Sequence, residues 1–298
     1  MRKRKTLLVE NVFVPGGMPE YTYNPRKELL IEEKLQRLSK RSTKIISVTG
    51  MTKSGKTVLV NRILPRNGVV WFDGGTFSSE TEFWEDICDQ TDSFTELAVG
   101  KTFTSGITGE IESGVGIGLI ASIRAKIGSL FQRTDSKQQR RVLPSKSAAL
   151  TGLRKKHLPL VIDDFHYISR TDQKSILRAL KPLVFEGLVV VIISIPHRKF
   201  DVLKSERELV GRVEQIEIPP WKDIELVDIP QKGFPLLNAQ VIDDDLELLV
   251  KEALGSPHLM QDFCLALCRI HGLNETLSQT QSLKNTRIQI EEVFRTVA

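Results

Sequence analysis

The chain has 298 residues, 40% of them apolar and 27% charged, with a net charge of +5 and an isoelectric point near 9.0. These values suit a soluble globular protein of one large domain or a core with a satellite, and exclude a chain dominated by one sign of charge; the mild basic excess permits contact with nucleic acid or acidic lipid without demanding it. Three cysteines, Cys88, Cys264 and Cys268, exclude a disulfide framework and point to a reducing compartment.

The chain opens on Arg2, Lys3, Arg4 and Lys5 with no adequate apolar stretch behind them, which is not a signal-peptide pattern. Residues 1–24 carry Pro15, Gly16, Gly17 and Pro19 and read as an extended arm. Leu29, Leu30, Ile31, Leu35 and Leu38 predict a helix over 26–40. Ile45, Ile46, Ser47 and Val48 form a short strand, followed by a glycine motif and a helix over 57–64 that stops at Pro65. A strand at 69–72 and a helix over 80–89 come next.

Residues 91–145 are rich in Ser, Thr, Gly, Lys and Gln and read as an insertion, mobile or ordered by a partner. Within it, 114–123 is the most membrane-like stretch, well short of the roughly 20 apolar residues a spanning helix needs. A helix over 148–156 leads to a buried strand at 158–162, and a helix over 172–185 to an uninterrupted apolar strand at 188–193, the signature of a central parallel strand. A short strand at 216–218 ends at Pro219 and Pro220. Beyond Trp221 the pattern is wholly helical, with helices over 243–253, 257–271 and 286–297. Strands alternating with helices predict a parallel α/β core, and the helical tail a lid.

Gly50, Met51, Thr52, Lys53, Ser54, Gly55, Lys56 and Thr57 match G-x-x-x-x-G-K-[ST] between a strand and a helix. In such a P-loop the glycines let backbone N–H groups surround phosphate oxygens, and the next helix points its positive end at the same anion. Lys56 then reaches the β and γ phosphates of ATP, Thr57 offers its hydroxyl to Mg2+, and Val58 continues the nucleotide-facing helix. Leu160, Val161 and Ile162 end in Asp163 and Asp164, the Walker B pattern: Asp163 holds the metal and Asp164 orients or deprotonates water.

Ser194, at the end of an apolar strand, is a candidate for touching the γ-phosphate or the lytic water, or else a cap before Pro196. Arg212 precedes the last core strand and is a candidate arginine finger toward a neighbouring subunit, with Arg198 and Arg207 as rivals and a surface salt bridge as the plainer reading. Gly255, Ser256, Pro257 and His258 form a turn between lid helices that can bring Pro257 and His258 to the nucleotide; a simple helix break is the alternative. Cys264, Cys268 and His271 share a helix face, which fits a half-buried apolar stripe better than a zinc site.

With these motifs in this order, the chain resembles the AAA+ and STAND signal-transduction ATPases, and among them bacterial anti-phage defence ATP-binding proteins and transposition-regulator ATPases. The resemblance implies an α/β fold: a three-layer αβα P-loop core with a parallel sheet over 25–219, then a helical lid over 220–298. It implies that the arm encloses the adenine, making Tyr21, Tyr23 and Arg26 candidates for the base pocket, and that subunits oligomerise. Two departures stand out. Asp164 replaces the usual glutamate, and His258 stands near the position of a lid arginine; both suggest a slow, regulated site.

The expected function is an ATP-binding, slowly hydrolysing switch in the cytoplasm that oligomerises and controls a separate effector. The alternative is a DNA-loading ATPase using a basic stripe of Lys101, Arg124, Lys126, Arg133, Lys137, Arg140 and Arg141.

Overall fold

The computed structural model describes residues 6–40, 42–93, 145–195 and 211–297. All but the ends of the expected insertion lies outside the described residues, with its basic stripe, and so do His197, Arg198 and Arg207. The chain divides into two compact units, Met1–Phe77 with Leu158–Ala298, and Ser78–His157.

The larger unit holds a five-stranded parallel sheet of β1 (Ile45–Gly50), β2 (Val70–Asp73), β3 (Leu160–Asp163), β4 (Val190–Ser194) and β5 (Val213–Ile218), in the order β2-β3-β4-β1-β5. Every residue of β1, β3 and β4 is buried, as continuous apolar runs covered on both faces require. The helices Ile31–Lys40 and Lys56–Ile63 contribute Leu35, Leu59 and Val60 to a core with Ile46, Val48, Val161, Val191 and Ile193. β5 is one of the two edge strands. Its outward Glu214 pairs with Lys34 at 3.1 Å and Lys44 at 3.7 Å, which helps to blunt the open edge.

The helices Asp223–Leu236, Asp243–Glu252, Pro257–Ile270 and Arg287–Val297 bury a second core. This region is not wholly helical. β6 (Ala239–Val241) and β7 (Gln281–Leu283) pair in parallel, after Asn238 ends the preceding helix at a φ of 55°. Three-residue strands are too short to show a period of two in the sequence.

The arm also differs from expectation. Val9–Val12 forms one helical turn, and Leu7, Val9, Val12 and Phe13 are buried in the helical region's core, with the Phe13 and Phe234 rings 5.0 Å apart. The expected helix over 26–40 is broken: Leu30 takes a φ of 50°, separating a 3-10 turn at Lys27–Leu29 from the helix Ile31–Lys40.

In the smaller unit, the helices Glu80–Gln90 and Ser145–Lys156 pack together, joined by Lys146 to Glu80 at 2.8 Å. No helix among the described residues is long and apolar enough to cross a membrane.

Candidate nucleotide-binding site

The loop between β1 and the helix Lys56–Ile63 alternates in hand. Lys53 has a φ of 58° and Gly55 a φ of 90°, flanking Ser54, a geometry that turns successive N–H groups toward one side. Gly50 must be glycine: a Cβ there would sit 2.9 Å from the Ile218 carbonyl oxygen and 3.0 Å from Ser54 Oγ. Lys56 Nζ donates to the carbonyls of Gly50 at 3.0 Å and Met51 at 2.7 Å. Burial lowers the Lys56 pKa, against the upward pull of Asp164 and Asp163. The hydroxyls of Thr49 and Ser54 are buried without a hydrogen-bond partner. Such groups are costly unless a ligand oxygen meets them.

β4 lies between β1 and β3, so Asp163 faces the P-loop across one intervening strand. Asp163 is buried and accepts hydrogen bonds from the Thr57 side chain and, at 2.9 Å, from the Asp164 amide. Burial raises its carboxyl above the usual range, with Asp164 and Asp73 adding to the rise and the two hydrogen bonds opposing it. A hydroxyl and a carboxylate in contact are an oxygen-only donor pair suited to a hard cation. Among the described residues no cluster of three or more His, Cys, Asp or Glu side chains surrounds a cation-sized space. A magnesium ion held by Thr57 and Asp163 would therefore complete its shell with phosphate and water oxygens.

Asp164 adopts a φ of 47° and opens a 3-10 turn, Phe165–Tyr167. Ser194 is the last residue of β4, buried, and in register with Thr49.

A cavity of about 410 Å³ lies over the P-loop. Thr52 to Leu59 form its floor, Val14, Gly16, Gly17, Pro19 and Thr22 to Arg26 contribute one wall, Asp164, His166 and Tyr167 another, and Trp221, Pro257, His258 and Gln261 a third; Tyr21 does not line it. It thus brings together Thr52, Lys53, Ser54, Gly55, Lys56, Thr57, Val58, Tyr23, Arg26, Asp164, Pro257 and His258; Gly50, Asp163 and Ser194 do not line it. Arg212 is exposed at the start of β5, where its carbonyl accepts from the Ile45 amide at 3.0 Å. Six residues of β1 separate that edge from the P-loop, about 16 Å at strand rise. Arg212 therefore does not reach the cavity of its own chain.

Tyr23 donates its hydroxyl to Glu32 and carries the Arg62 guanidinium 4.0 Å from its ring centre. Burial raises its phenol pKa, and Glu32 adds to the rise. Arg26 is committed elsewhere than to a base. It donates to both Glu225 carboxylate oxygens at 2.9 Å, to the Pro219 carbonyl at 2.9 Å and to the Pro220 carbonyl at 3.1 Å, and stacks 4.9 Å over Trp221. It positions the segment joining β5 to the helical region. His258 pairs with Asp262 at 3.1 Å, and its ring lies against Gly16 of the arm.

Sequence reasoning missed Trp221 and Gln261 as wall residues, whereas Ser256 belongs to the turn it had singled out. Trp221 donates its indole N–H to the Ser54 carbonyl at 3.1 Å, and Ser256 donates its hydroxyl to the Lys53 carbonyl at 3.4 Å. Gln261 accepts from the Val14 amide at 3.1 Å and donates to Thr22 Oγ1 at 2.7 Å, clamping the arm. A tryptophan directly after two prolines at a domain junction was the one available signal. Cys264 and Cys268 are buried, with thiol pKa values raised by burial, and His271 bonds Asn285 at 2.7 Å.

Comparison with known proteins returns no matching family model and no matching curated protein. Solved structures do match. The Walker-type ATPase of Pyrococcus abyssi has a TM-score of 0.57 at 16% identity, over 95% of this chain and 73% of that one. The fold is that of a P-loop ATPase. The ORC1 protein of Aeropyrum pernix, solved in complex with DNA, has a TM-score of 0.60 at 12% identity, over 100% of this chain and 71% of that one. A STAND ATPase of Pyrococcus horikoshii with a tetratricopeptide-repeat sensor has a TM-score of 0.50 at 14% identity, over 94% of this chain and 33% of that one. At these identities the likeness is one of fold.

Proposed function

We propose that the chain is an ATP-dependent molecular switch that binds ATP with magnesium in this cavity and hydrolyses it slowly. The observation that carries the reading is the pair of bonds from the helical region to the P-loop carbonyls, Trp221 to Ser54 and Ser256 to Lys53. The loop shaped to hold phosphate is thus bonded directly to the element that would signal its state. Lys56 and the loop amides would hold the phosphates, and Thr57 and Asp163 the metal. Magnesium, when bound, would draw charge from the phosphate oxygens. Asp164 would orient the attacking water and take its proton as the γ-phosphoryl group parts from ADP.

In this reading the helical lid over 220–298 responds to the nucleotide and changes how copies of the chain assemble, and the assembly controls a separate effector. Anti-phage defence is the setting that the sequence resemblance suggests. Ser194 serves near the γ-phosphate and Arg212 acts toward a neighbouring copy, consistent with its distance from its own cavity. Sizing the protein with ADP and with a non-hydrolysable ATP analogue, beside phosphate release from ATP, tests this. A size independent of nucleotide sinks the assembly part, and ATP binding that survives Lys56→Ala sinks the site.

The DNA-bound state of the ORC1 neighbour favours a second reading, a DNA-loading ATPase. Retention of duplex DNA that falls steeply with salt supports it; retention absent at low salt removes it.

A further inference from the structure

The turn after Asp163 and Asp164 carries one more polar side chain into the cavity. His166 lines the cavity wall with Lys56 and Thr57, and its side chain is only 7% exposed. Its Nδ1 lies 3.9 Å from Asp164 Oδ1, and its ring stacks on Tyr167 at 4.3 Å between centres. Among the described residues it is the one basic side chain within 4 Å of the Asp164 carboxylate, an ion pair when the ring is protonated, and the Asp164 side chain is 46% exposed.

The backbone around this pair is held from two sides. Gln173 is buried, and its Nε2 donates to the carbonyls of Phe165 at 2.7 Å and Ile168 at 2.9 Å, so both ends of the turn are fixed by one carboxamide. Its Oε1 has no partner, so the residue is held for what its nitrogen does. On the other side, a Cβ on Gly74 would meet the Asp164 carbonyl oxygen at 2.6 Å and that of Asp163 at 2.9 Å. The Gly74 backbone therefore packs closely against this turn, and a side chain there would displace it. A largely buried imidazole thus faces a short carboxylate that is 46% exposed.

We propose that His166 is a positioning residue for Asp164 in ATP hydrolysis, holding its carboxylate toward the attacking water. The proposal rests on the hydrolytic reading above. Aspartate reaches one carbon less far than glutamate, so the direction of its carboxylate matters more. The 3.9 Å separation is ion-pair range, longer than a hydrogen bond, and such contacts tighten when substrate is bound.

The test is ATP turnover and ATP binding in the full chain. H166A should lower kcat about tenfold to a hundredfold with KM and ATP affinity little changed. H166F keeps a ring of similar shape without the nitrogens and should be as slow as H166A. H166N places an amide nitrogen near the Nδ1 position and should recover most of the rate. Because His166 acts through Asp164, H166F in a D164N background should be no slower than D164N alone. Equal losses in both backgrounds, or an H166F enzyme as fast as the unaltered protein, overturn the proposal alone. Absence of turnover in the unaltered protein overturns the hydrolytic reading, and this proposal with it.

Discussion

The indole nitrogen of Trp221 donates to the carbonyl of Ser54 at 3.1 Å, tying the first residue past the sheet's closing prolines to the middle of the phosphate loop. The backbone N–H of Trp221 donates to the Gly255 carbonyl at 3.3 Å, and the Arg26 guanidinium lies 4.9 Å over the ring. One residue thus touches the loop, through its backbone the turn before Pro257, and the arginine that follows the arm. A neutral hydrogen bond contributes about 0.5–1.5 kcal/mol, so Trp221→Phe should change ATP affinity by less than about tenfold. The response to ATP should suffer more. Limited proteolysis of the helical region, with and without ATP, should show protection in the unaltered protein and little in the variant. Equal protection in both would separate the response of the helical region from this bond.

Arg26 and Glu225 make a bidentate pair, Arg26 buried and Glu225 part-buried, with side chains 5% and 13% exposed. Removing one partner of a fully buried pair leaves an uncompensated charge and costs about 3–5 kcal/mol, an upper bound here because Glu225 is part-buried. Arg26→Ala should lower stability by up to that amount in denaturant unfolding. The pH dependence has a defined sign. Burial alone would raise the Glu225 carboxyl, but the Arg26 hydrogen bonds, the Lys222 amide and the charges of Arg26 and Lys222 outweigh it and hold the carboxyl below its ordinary value of 4.5. A lowered carboxyl stabilises the fold above the unfolded-state value and loses that contribution as pH falls through the lower, folded-state one. The stability gap between the unaltered protein and Glu225→Gln should therefore narrow as the pH is taken below about 4.5.

Lys56 is held charged in a buried place by two carbonyls and two nearby carboxylates, while burial pulls its pKa down. Its charge is thus poorly placed for stability and well placed for phosphate. Lys56→Met should abolish ATP binding by calorimetry and lower folding stability by no more than about 1 kcal/mol, one net hydrogen bond. A large loss of stability would mean that the lysine is structural first.

The sheet and the two Walker motifs are legible in the sequence because each is local. An apolar run ending in Gly50 to Thr57, and another ending in Asp163 and Asp164, carry their structural context in the flanking residues. The rest of the wall is long-range. Arg26 meets Glu225 across 199 positions, and Trp221 meets Ser54 across 167. Nothing near Arg26 in the chain distinguishes a latch from a base contact. Arg212 shows the same limit in another form. Its place before a strand is readable, but only the parallel register of Val213 with Ile45 puts it at the edge away from the P-loop. The arm's Pro and Gly hide a helical turn whose stability comes from burial of Val9, Val12 and Phe13 in a core assembled from the other end of the chain.

That burial gives the last prediction. Gly233 lies inside the helix Asp223–Leu236, where alanine would ordinarily gain about 0.5–1 kcal/mol over glycine. Here a Cβ would meet Phe13 Cε1 at 2.3 Å, Cζ at 2.4 Å and Thr22 Cγ2 at 3.1 Å. Phe13 is fully buried and backed by Phe234, so it has little room to retreat. Overpacking of this kind costs about 1–3 kcal/mol, which outweighs the helix gain. Gly233→Ala should therefore lower the thermal midpoint. It should also weaken ATP binding, because a displaced Phe13 carries with it the wall at Gly16, Thr22 and Tyr23 while the P-loop stays as it is. Measuring both in one variant separates two roles for the arm. A lower midpoint with unchanged ATP affinity would make it a brace for the helical region alone, whereas a joint loss would make it part of the nucleotide site.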